Sequence, residues 1–412
     1  MNKKKHDRYD VVIVGAGPAG ATAGYILAKK GYKVLILDKE RFPREKLCGG
    51  ALTIKTIRLL ERIFREPEDS LVREKVIDSK SRGYEIRYKN KTLLNAGSAY
   101  SFRFIDRYVY DHFFLNKARA AGAEVMEGEK VEDVDSDKNR VTTSAGKCIT
   151  ADFIIGADGV NSRVRAILSR ENKLDASNWR HNLAYAVEVF IDRGRDFEHI
   201  DRPILSFGYL HYGYAWIFPN KERLVVGMGG LKRKNRHIDL PDRFRTFLND
   251  FGLAGAGAGK IRGYPLPFGN FVTRPVYRKV LLVGDAGGLV DPMLGEGIFQ
   301  AHRSGELAAC AIIDMKERAA GTANKVDEHH TAGRRNLEEI YVDLLDTHLM
   351  PEFLWARRYR WFAYNKLNHV LKFRSIKLVE RRFEKCAELI HGIRSYRRPW
   401  DSRVRVEKTR NL

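Results

Sequence analysis

Cysteine is scarce in this chain of 412 residues. The four cysteines are Cys48, Cys148, Cys310 and Cys386, and they form no C-x-x-C pair and show no spacing typical of a metal site. Few and widely separated cysteines in a chain of this length argue against a disulfide framework. We therefore expect no disulfide scaffold and no bound metal.

Long apolar runs are also missing. No segment approaches the roughly 18 consecutive apolar residues that a membrane-spanning helix needs. The basic residues 1–8 are followed by an apolar run of residues 11–14 only, which is too short for a signal peptide. We expect a cytoplasmic protein, either soluble or peripheral at the inner face of the membrane.

Acidic residues are outnumbered. The chain has 52 Asp and Glu against 74 Lys and Arg, a net charge of +22. Residues 351–412 hold 17 basic and 6 acidic residues, so this stretch carries +11, half of the excess. It also carries aromatic residues, among them Phe353, Trp355, Tyr359, Trp361, Phe362, Tyr364, Phe373 and Trp400.

This basic and aromatic composition suits the boundary of an anionic bilayer, because each such side chain has an apolar body and a polar tip. The same composition suits single-stranded nucleic acid, but no nucleic-acid-binding module accompanies it. We therefore expect an anionic membrane surface as partner and no specific nucleic acid. Solvated charge without any partner is the alternative.

A strand, a glycine turn, a helix and a second strand are expected within residues 9–40. The turn has the sequence G-A-G-P-A-G at residues 15–20, which fits G-x-G-x-x-G. This pattern lets the backbone approach a pyrophosphate at the amino end of a helix. Asp38 ends the second strand, where an acid binds an adenosine 2′-hydroxyl. The pattern predicts a dinucleotide site.

Two later segments decide which dinucleotide binds. Residues 283–288 (V-G-D-A-G-G) close a second buried strand, and residues 291–298 (D-P-M-L-G-E-G-I) then enter a helix. A flavin needs an acid for its ribityl chain and a helix amino terminus where negative charge develops on reduction. Residues 155–165, which include Asp158 and Gly159, form another strand–turn–helix segment. The combination predicts FAD.

The expected fold is mixed α/β, with a discontinuous Rossmann-like FAD-binding domain. We assign residues 1–80, 103–170 and 275–318 to that domain, because these contain the strand–turn–helix segments. Residues 81–102 and 171–274 show alternating patterns and form an expected antiparallel-sheet substrate domain. Residues 319–412 are expected to be a helical, basic C-terminal region.

Three segments, namely the glycine turn at residues 15–20, residues 155–165 and residues 283–298, resemble in sequence and order those of the FAD-dependent monooxygenase and reductase group typified by para-hydroxybenzoate hydroxylase. The resemblance covers most of residues 9–315. It implies that the first glycines hold the ADP half of FAD, that Asp158 and Gly159 lie near the pyrophosphate, and that Gly284 and Asp285 bind the ribityl. The predicted cofactor-binding residues are Gly15, Gly17, Pro18, Ala19, Gly20, Asp38, Lys39, Cys48, Gly49, Gly50, Arg107, Asp158, Gly159, Gly284, Asp285, Pro292, Gly295, Glu296, Gly297 and Ile298.

Within this group the chain resembles the geranylgeranyl reductase family. Residues 42–52 (F-P-R-E-K-L-C-G-G-A-L) resemble its P-x-x-K-x-C-G-G loop, and residues 214–219 (Y-A-W-I-F-P) match its Y-x-W-x-F-P strand. Arg107 looks like the arginine that reaches the cofactor. Residues 292–297 fit the family's P-x-x-G-E-G loop, whereas Asp291 stands where we expect a small residue.

The family resemblance implies reduction of isolated double bonds in prenyl chains, with an apolar isoprenoid as substrate. Near the flavin we expect Cys48, whose neighbouring glycines allow close approach to a flat ring and whose thiol can donate a proton. Tyr214 and Trp216 alternate along a strand and would line an apolar channel. The competing interpretations are a buried, inert Cys48, as assigned to the other three cysteines, and ordinary core packing for the aromatic residues.

Two other functions stay open. A monooxygenase acting on an apolar substrate would share every cofactor motif, and a flavin-binding protein of little catalytic activity would use its basic tail for membrane or nucleic-acid interactions. The chain has no second complete G-x-G-x-x-G. The external electron donor therefore stays open among ferredoxin, a quinol and NAD(P)H.

Overall fold

A computed structural model describes residues 8–255, 260–320, 335–372 and 387–397. The strands are β1 (Arg8–Val14), β2 (Val34–Asp38), β3 (Ala51–Leu52), β4 (Ser79–Tyr88), β5 (Lys91–Phe104), β6 (Glu124–Glu127), β7 (Val131–Asp135), β8 (Arg140–Thr143), β9 (Cys148–Gly156), β10 (Leu183–Asp192), β11 (Ile204–Phe207), β12 (Gly213–Pro219), β13 (Arg223–Leu231), β14 (Arg262–Pro267), β15 (Val276–Tyr277) and β16 (Val280–Leu282). The helices are α1 (Pro18–Lys29), α2 (Ile54–Phe64), α3 (Glu68–Arg73), α4 (Arg107–Ala120), α5 (Arg163–Arg170), α6 (Leu240–Asp250), α7 (Ile298–Ala319), α8 (Leu337–His348) and α9 (Met350–Lys372).

The first sheet grows from the β1–α1–β2 unit. β1 pairs in parallel with β2, with Val11 opposite Val34, and β2 is buried along its whole length. Such continuous apolar burial is typical of a parallel strand covered on both faces. The strand order is β15-β16-β9-β1-β2-β6, and the antiparallel ribbon of β7 and β8 attaches to β9.

Helices cover both faces of this sheet. On one face, α1 packs against α7 and α4, and one apolar cluster continues from there into α8 and the start of α9. On the other face, α5 and the β7–β8 ribbon bury the opposite sides of β1 and β2. The order of the neighbouring strands β16, β9 and β1 shows that the sheet is assembled from distant parts of the chain.

The second sheet has the order β14-β10-β13-β12-β11-β4-β5-β3. Its pairs are antiparallel except β11 and β4, which run parallel with Ile204 opposite Glu85. One face packs against α6, where Phe244 and Phe247 are fully buried. The other face carries Trp216 and Phe218 and borders the cavity described below.

These features confirm the predicted mixed α/β fold with a Rossmann-like domain. The helix that residues 291–298 were expected to enter is α7. Within residues 171–274, which were expected to form antiparallel sheet, the structure inserts α6, whose amino end is capped by Asp239. Strands β3, β4 and β5 join the second sheet from residues 51–52 and 79–104. The domain boundaries given above stay a proposal.

The C-terminal region returns to the second sheet. Residues 387–397 place Ala387 against Tyr84 and Phe102, and the His391 ring lies 4.5 Å from that of Phe102. The Tyr396 backbone N–H donates to Glu352 of α9 at 2.8 Å. Of the aromatic residues noted in the tail, Phe353 and Tyr364 are buried and Trp361 is exposed. Phe373 and Trp400 lie outside the described residues.

Candidate functional site

The glycine turn after β1 is closed on its inner side and open on its outer side. A Cβ on Gly20 would collide with the carbonyl oxygen of Gly15. Gly15 itself has a φ of +106°, and a Cβ added to it would collide with the carbonyl oxygen of Ala157. At Gly17, by contrast, the nearest atom to an added Cβ would be an Arg44 nitrogen at 3.9 Å. The open side of Gly17 is where a ligand can approach the backbone.

Helix α1 begins at this turn without a side-chain cap. Its first intrahelical bond is donated by Ala21 to Gly17, so the N–H groups of Ala19 and Gly20 precede the hydrogen-bonded ladder. Uncapped N–H groups and the positive end of the helix dipole favour an anion at this position. Pro18 carries no N–H and lines the cavity.

Asp38 holds the turn from the end of β2. Its carboxylate accepts hydrogen bonds from the N–H of Ala16 at 2.7 Å and of Glu40 at 2.9 Å. Each oxygen keeps a second lone pair for a ligand. The neighbouring Lys39 is exposed. The predicted ribose acid therefore also shapes the glycine turn.

Three cations surround one carboxylate beside the turn. Arg107 makes a two-point contact with Asp111 at 2.6 and 2.7 Å, and Arg44 contacts the same group at 3.1 Å. Lys46 lines the cavity next to them, and its pKa is lowered by burial and by Arg107. Burial would raise the Asp111 pKa, but Arg107 holds it below its ordinary value.

This cluster fits a diphosphate. Its positive charge exceeds the single carboxylate, and Arg44 Nη1 is buried with no hydrogen-bond partner among the described residues. Arg44 and Lys46 belong to the P-x-x-K-x-C-G-G loop, but the sequence pattern assigned neither of them a role. Their signal was the basic spacing in that loop, and only folding brings the loop to α1.

The predicted Asp158 segment serves the local backbone. Asp158 Oδ2 accepts from the N–H of Arg163 at 2.6 Å and of Val164 at 3.2 Å, which closes the start of α5. Gly15 lies against this segment. Arg165 then donates to the Ala286 carbonyl at 2.9 Å, so the Asp158 and Gly284 segments are joined.

The Gly284 segment turns towards the cavity after β16. Gly284 N–H donates to Ser304 of α7 at 2.9 Å, and Asp285 lines the cavity. An added Cβ on Gly297, the residue before α7, would lie 3.5 Å from Asp285 Oδ1. α7 starts there without a side-chain cap. An acid beside a free helix amino end is the arrangement expected for a ribityl and a reduced flavin ring.

Residues 291–297 are held by their own side chains. Asp291, unexpected at its position, accepts from the N–H groups of Met293 at 2.8 Å and Leu294 at 2.9 Å, and so forms a local turn next to Pro292. Glu296 accepts from Thr53 at 2.8 Å and pairs with Lys55 at 2.5 Å. The loop bearing Gly295 and Gly297 is thereby fixed against the start of α2.

The Cys-Gly-Gly loop and the Tyr-Trp-Phe strand meet in the structure. An added Cβ on Gly49 would lie 2.8 Å from the Phe218 ring and 3.4 Å from Trp216 Nε1, so only a glycine fits there. Cys48 Sγ accepts from the Gly50 N–H at 3.4 Å. Tyr214 donates to the Leu294 carbonyl at 2.6 Å. Two motifs about 170 residues apart in the numbering thus form one wall.

The wall belongs to a cavity of about 570 Å³. Its lining includes Pro18, Lys46, Arg107 and Asp285 with the start of α7, a group that we call the cationic end because Lys46 lies near the charges of Arg107 and Asp285. A second group of lining residues, most of them from one apolar cluster, forms what we call the apolar end and includes Tyr84, Ile86, Phe102, Phe104, Leu205, Phe207, Leu389 and Ile390. The predicted residues Cys48, Gly49, Gly50, Tyr214, Trp216, Gly295, Glu296, Gly297 and Ile298 also line it.

Several predicted residues do not line the cavity. They are Gly15, Gly17, Ala19, Gly20, Asp38, Lys39, Asp158, Gly159, Gly284 and Pro292. Sequence reasoning missed Glu188, a buried acid in β10 that does line the cavity. A charged residue inside an apolar strand was its signal in the sequence.

Comparisons with known proteins agree with this geometry. A family model described as an FAD binding domain matches residues 8–187. A geranylgeranyl diphosphate reductase of Rhodobacter capsulatus is 31% identical over 74% of this chain and 75% of its own length. A menaquinone reductase of Mycolicibacterium smegmatis is 30% identical over 79% of this chain and 82% of its own.

The solved structures support the fold. A geranylgeranyl bacteriochlorophyll reductase-like protein from Thermoplasma acidophilum superposes with a TM-score of 0.69, covers 94% of this chain and 92% of its own, and is 21% identical. A probable FAD-dependent monooxygenase from Pseudomonas aeruginosa superposes with a TM-score of 0.65 at 18% identity, covering 90% of this chain and 99% of its own. Likeness at these identities extends to the fold alone.

Proposed function

Because this chain belongs to the geranylgeranyl reductase family of FAD-dependent oxidoreductases, we propose that it reduces carbon–carbon double bonds of a prenyl chain in a lipid, a quinone or a related isoprenoid. One observation carries the proposal. The cavity joins a cationic end beside the glycine turn to an apolar end. Cys48 lies next to Arg107 of the first, and Trp216 stacks on Phe218, which packs with the apolar cluster of the second. Its volume of about 570 Å³ is in the range of small-molecule sites.

We assign the FAD to the cationic end. The open side of Gly17 and the uncapped start of α1 would take the diphosphate, with Arg44, Lys46 and Arg107 balancing its charge. Asp38 would hold the ribose, and Asp285 with the start of α7 would hold the ribityl and the ring. Bound FAD supplies the two-electron redox chemistry.

The apolar end would bind the prenyl chain. Phe102, Phe104 and Phe207 present hydrocarbon surface to the cavity. Burying an apolar chain against them would stabilise the complex by about 25 cal/mol for each Å² of apolar surface removed from water. Trp216 and Tyr214 would position the double bond, and Tyr214 is itself fixed by its bond to Leu294. Cys48 would lie near the flavin because it lines the cavity next to Arg107 of the cationic end.

A direct test uses the purified holoprotein. The flavin is reduced anaerobically with dithionite and incubated with geranylgeranyl lipids, and the products are read by mass. We expect a gain of two hydrogens for each reduced bond. Unchanged lipid with a fully reduced flavin would contradict the proposal.

A monooxygenase of the same fold is the second candidate, favoured by the shared cofactor end. The two reactions differ in oxygen: a monooxygenase consumes it during turnover and adds an oxygen atom to the product, whereas the reductase works without it. Measuring oxygen consumption beside product mass therefore separates them. A flavin-binding interaction protein would show neither product, and its flavin would not be reduced rapidly by a physiological donor.

We further propose an external electron donor, with ferredoxin, a quinol and NAD(P)H as the chemical choices. Comparing the rates at which each reduces the bound flavin would identify it. None of the helices in the described ranges has the length and apolar character that crossing a bilayer requires.

An anionic membrane surface is the partner we propose for α9. Leu354, Arg357, Arg358 and Trp361 are exposed, and their spacing places them on one side of the helix. The side chain of Trp361 is 62% exposed, unusual for so large an apolar group. A tryptophan and a leucine flanking two arginines complement anionic headgroups over an apolar interior. Docking there would bring prenyl lipids to the cavity.

A further inference from the structure

Glu188 lies in a cross-strand row on the cavity side of the second sheet. In the strand register it is opposite Gly227 of β13, which is in turn opposite Trp216 of β12. A Cβ on Gly227 would collide with the Trp216 indole. The glycine thus lets the indole lie across β13 towards the carboxyl of Glu188.

The other neighbour of Glu188 is the Cys-Gly-Gly loop. Glu188 Oε1 accepts a hydrogen bond from the backbone N–H of Cys48 at 3.2 Å. A neutral carboxyl has an accepting oxygen and an O–H donor. Because Oε1 accepts from the amide, we assign the proton of the neutral acid to Oε2. The acid is 3% exposed and lines the cavity beside Cys48 and Trp216.

No ion pair neutralises Glu188 within the described part of the chain. Arg262, its register partner in β14, pairs with Glu45, and Arg223 pairs with Asp106. Burial raises the pKa of Glu188 to about 7, although the Cys48 N–H, Arg223 and Trp216 lower it in part. The carboxyl is therefore substantially protonated at neutral pH, as a proton donor must be.

We propose that Glu188 donates the proton that completes reduction of the prenyl double bond, a role that rests on the proposed function. The π bond breaks as the Oε2 proton forms a C–H bond at one carbon, and the other carbon receives hydride. The alkene gains two electrons, which the reduced flavin loses. Glu188 is left as a carboxylate and regains its proton from solvent.

The test compares Glu188→Gln with Glu188→Asp in the holoprotein. Glutamine keeps the acceptor for the Cys48 N–H but has no acidic proton, whereas aspartate keeps the acid with a shorter reach. Glu85→Gln is the matched control, since Glu85 is a buried acid of the same sheet that does not line the cavity. It is bonded to Arg87 and Thr92.

We expect Glu188→Gln to bind FAD and to be reduced by dithionite as the wild type is. Its reoxidation by geranylgeranyl lipid should be slower by about 100-fold or more. The wild-type rate should fall as pH rises through about 7, because only the protonated acid donates. Glu188→Gln should lose this dependence, Glu188→Asp should recover part of the rate, and Glu85→Gln should match the wild type.

A second measurement needs no turnover. Infrared spectra of the wild-type holoprotein should show a protonated-carboxyl carbonyl band that titrates near pH 7 and is absent from Glu188→Gln. If Glu188→Gln kept the wild-type rate of reoxidation and its pH dependence, the proposal would be overturned. If the pH dependence were lost in Cys48 variants instead, the thiol would be the proton donor. A wild type that reduces no prenyl chain would refute the proposed function itself, and the proton-donor role with it.

Discussion

Cys48 lines the cavity next to Arg107 of the cationic end. We predict that Cys48→Ala leaves FAD bound, because the loop keeps its backbone hydrogen bond to Glu188 and loses only the bond from the Gly50 N–H to the thiol. Prenyl reduction should slow by about 10- to 100-fold if the thiol orients the reacting groups. Stopped-flow reoxidation of the reduced flavin measures this.

The control for Cys48 is Cys148→Ala. Cys148 starts β9, away from the residues that line the cavity, and its removal should not change the rate. Equal turnover in Cys48→Ala and wild type would leave Cys48 as a packing residue.

His302 is a buried, neutral histidine of α7 that hydrogen-bonds to helices next to the cationic end of the cavity. Thr22 donates to the Pro18 carbonyl at 2.7 Å, so its oxygen accepts from His302 Nδ1 at 2.6 Å. The other ring nitrogen then accepts from the Tyr110 hydroxyl at 2.8 Å. Burial lowers the pKa of His302 to about 3. The network links the first turn of α1 to α4.

We predict that this histidine makes stability depend on pH. The pKa of His302 in the folded protein is below the ordinary value of 6.5. Below about pH 6.5 this histidine is therefore protonated in the unfolded chain and still neutral in the native state. Its contribution to the free energy of unfolding is complete above that pH and is lost as pH falls, approaching 1.4 kcal/mol per pH unit (about tenfold in the equilibrium constant) until about pH 3.

Urea unfolding of wild type and His302→Gln at several pH values isolates this contribution. Glutamine can donate to Thr22 and accept from Tyr110 without titrating, and all other groups are common to both proteins. The difference between the two free energies of unfolding should change with pH below 6.5. A constant difference would contradict the assignment.

At the scale of the element, we expect two glycines of the turn before α1 to have different roles, Gly17 in FAD binding and Gly20 in folding. Gly17 has an extended φ of −70° and open space around it, so Gly17→Val should fold normally. The new side chain would occupy the space proposed for the diphosphate. We expect FAD affinity to fall by at least about tenfold, or 1.4 kcal/mol, measured by flavin fluorescence titration of the apoprotein.

Gly20→Ala is the contrasting change in the same turn. Its Cβ would collide with the Gly15 carbonyl, and overpacking of this kind costs about 1–3 kcal/mol. Its melting temperature should fall even without FAD, whereas that of apo Gly17→Val should not. Full FAD binding by Gly17→Val would place the diphosphate elsewhere.

At the scale of the whole molecule, the charge of +22 is the property that concerns partners. We predict that Arg357→Glu/Arg358→Glu lowers co-sedimentation with anionic vesicles by at least about tenfold, since each basic residue near the surface contributes about 1 kcal/mol. Binding should also weaken as salt rises, because exposed charges are screened.

The control for membrane binding makes the same change of charge elsewhere. Lys130→Glu/Lys138→Glu alters two exposed cations near the β7–β8 ribbon, far in the chain from α9. It should bind vesicles nearly as the wild type does. Equal binding to anionic and neutral vesicles, or an equal loss in both double variants, would count against α9 as the docking face.

The sequence alone determined the mixed α/β fold, the β1–α1–β2 unit and the choice of FAD. These depend on local patterns, because a glycine at residue 15 or 20 specifies its turn through neighbouring atoms and apolar periodicity specifies each strand. The C-G-G loop and the Y-x-W-x-F-P strand could also be identified from the sequence, since each is a contiguous motif.

Only the tertiary structure decided how these pieces meet. Glu188, Cys48 and Trp216 come from three segments, and their contact depends on the register of β10, β13 and β12, which no local pattern encodes. Long-range packing likewise decided that Phe353 and Tyr364 are buried while Trp361 is exposed. A buried acid has a raised pKa because of its surroundings, and those surroundings exist only after folding.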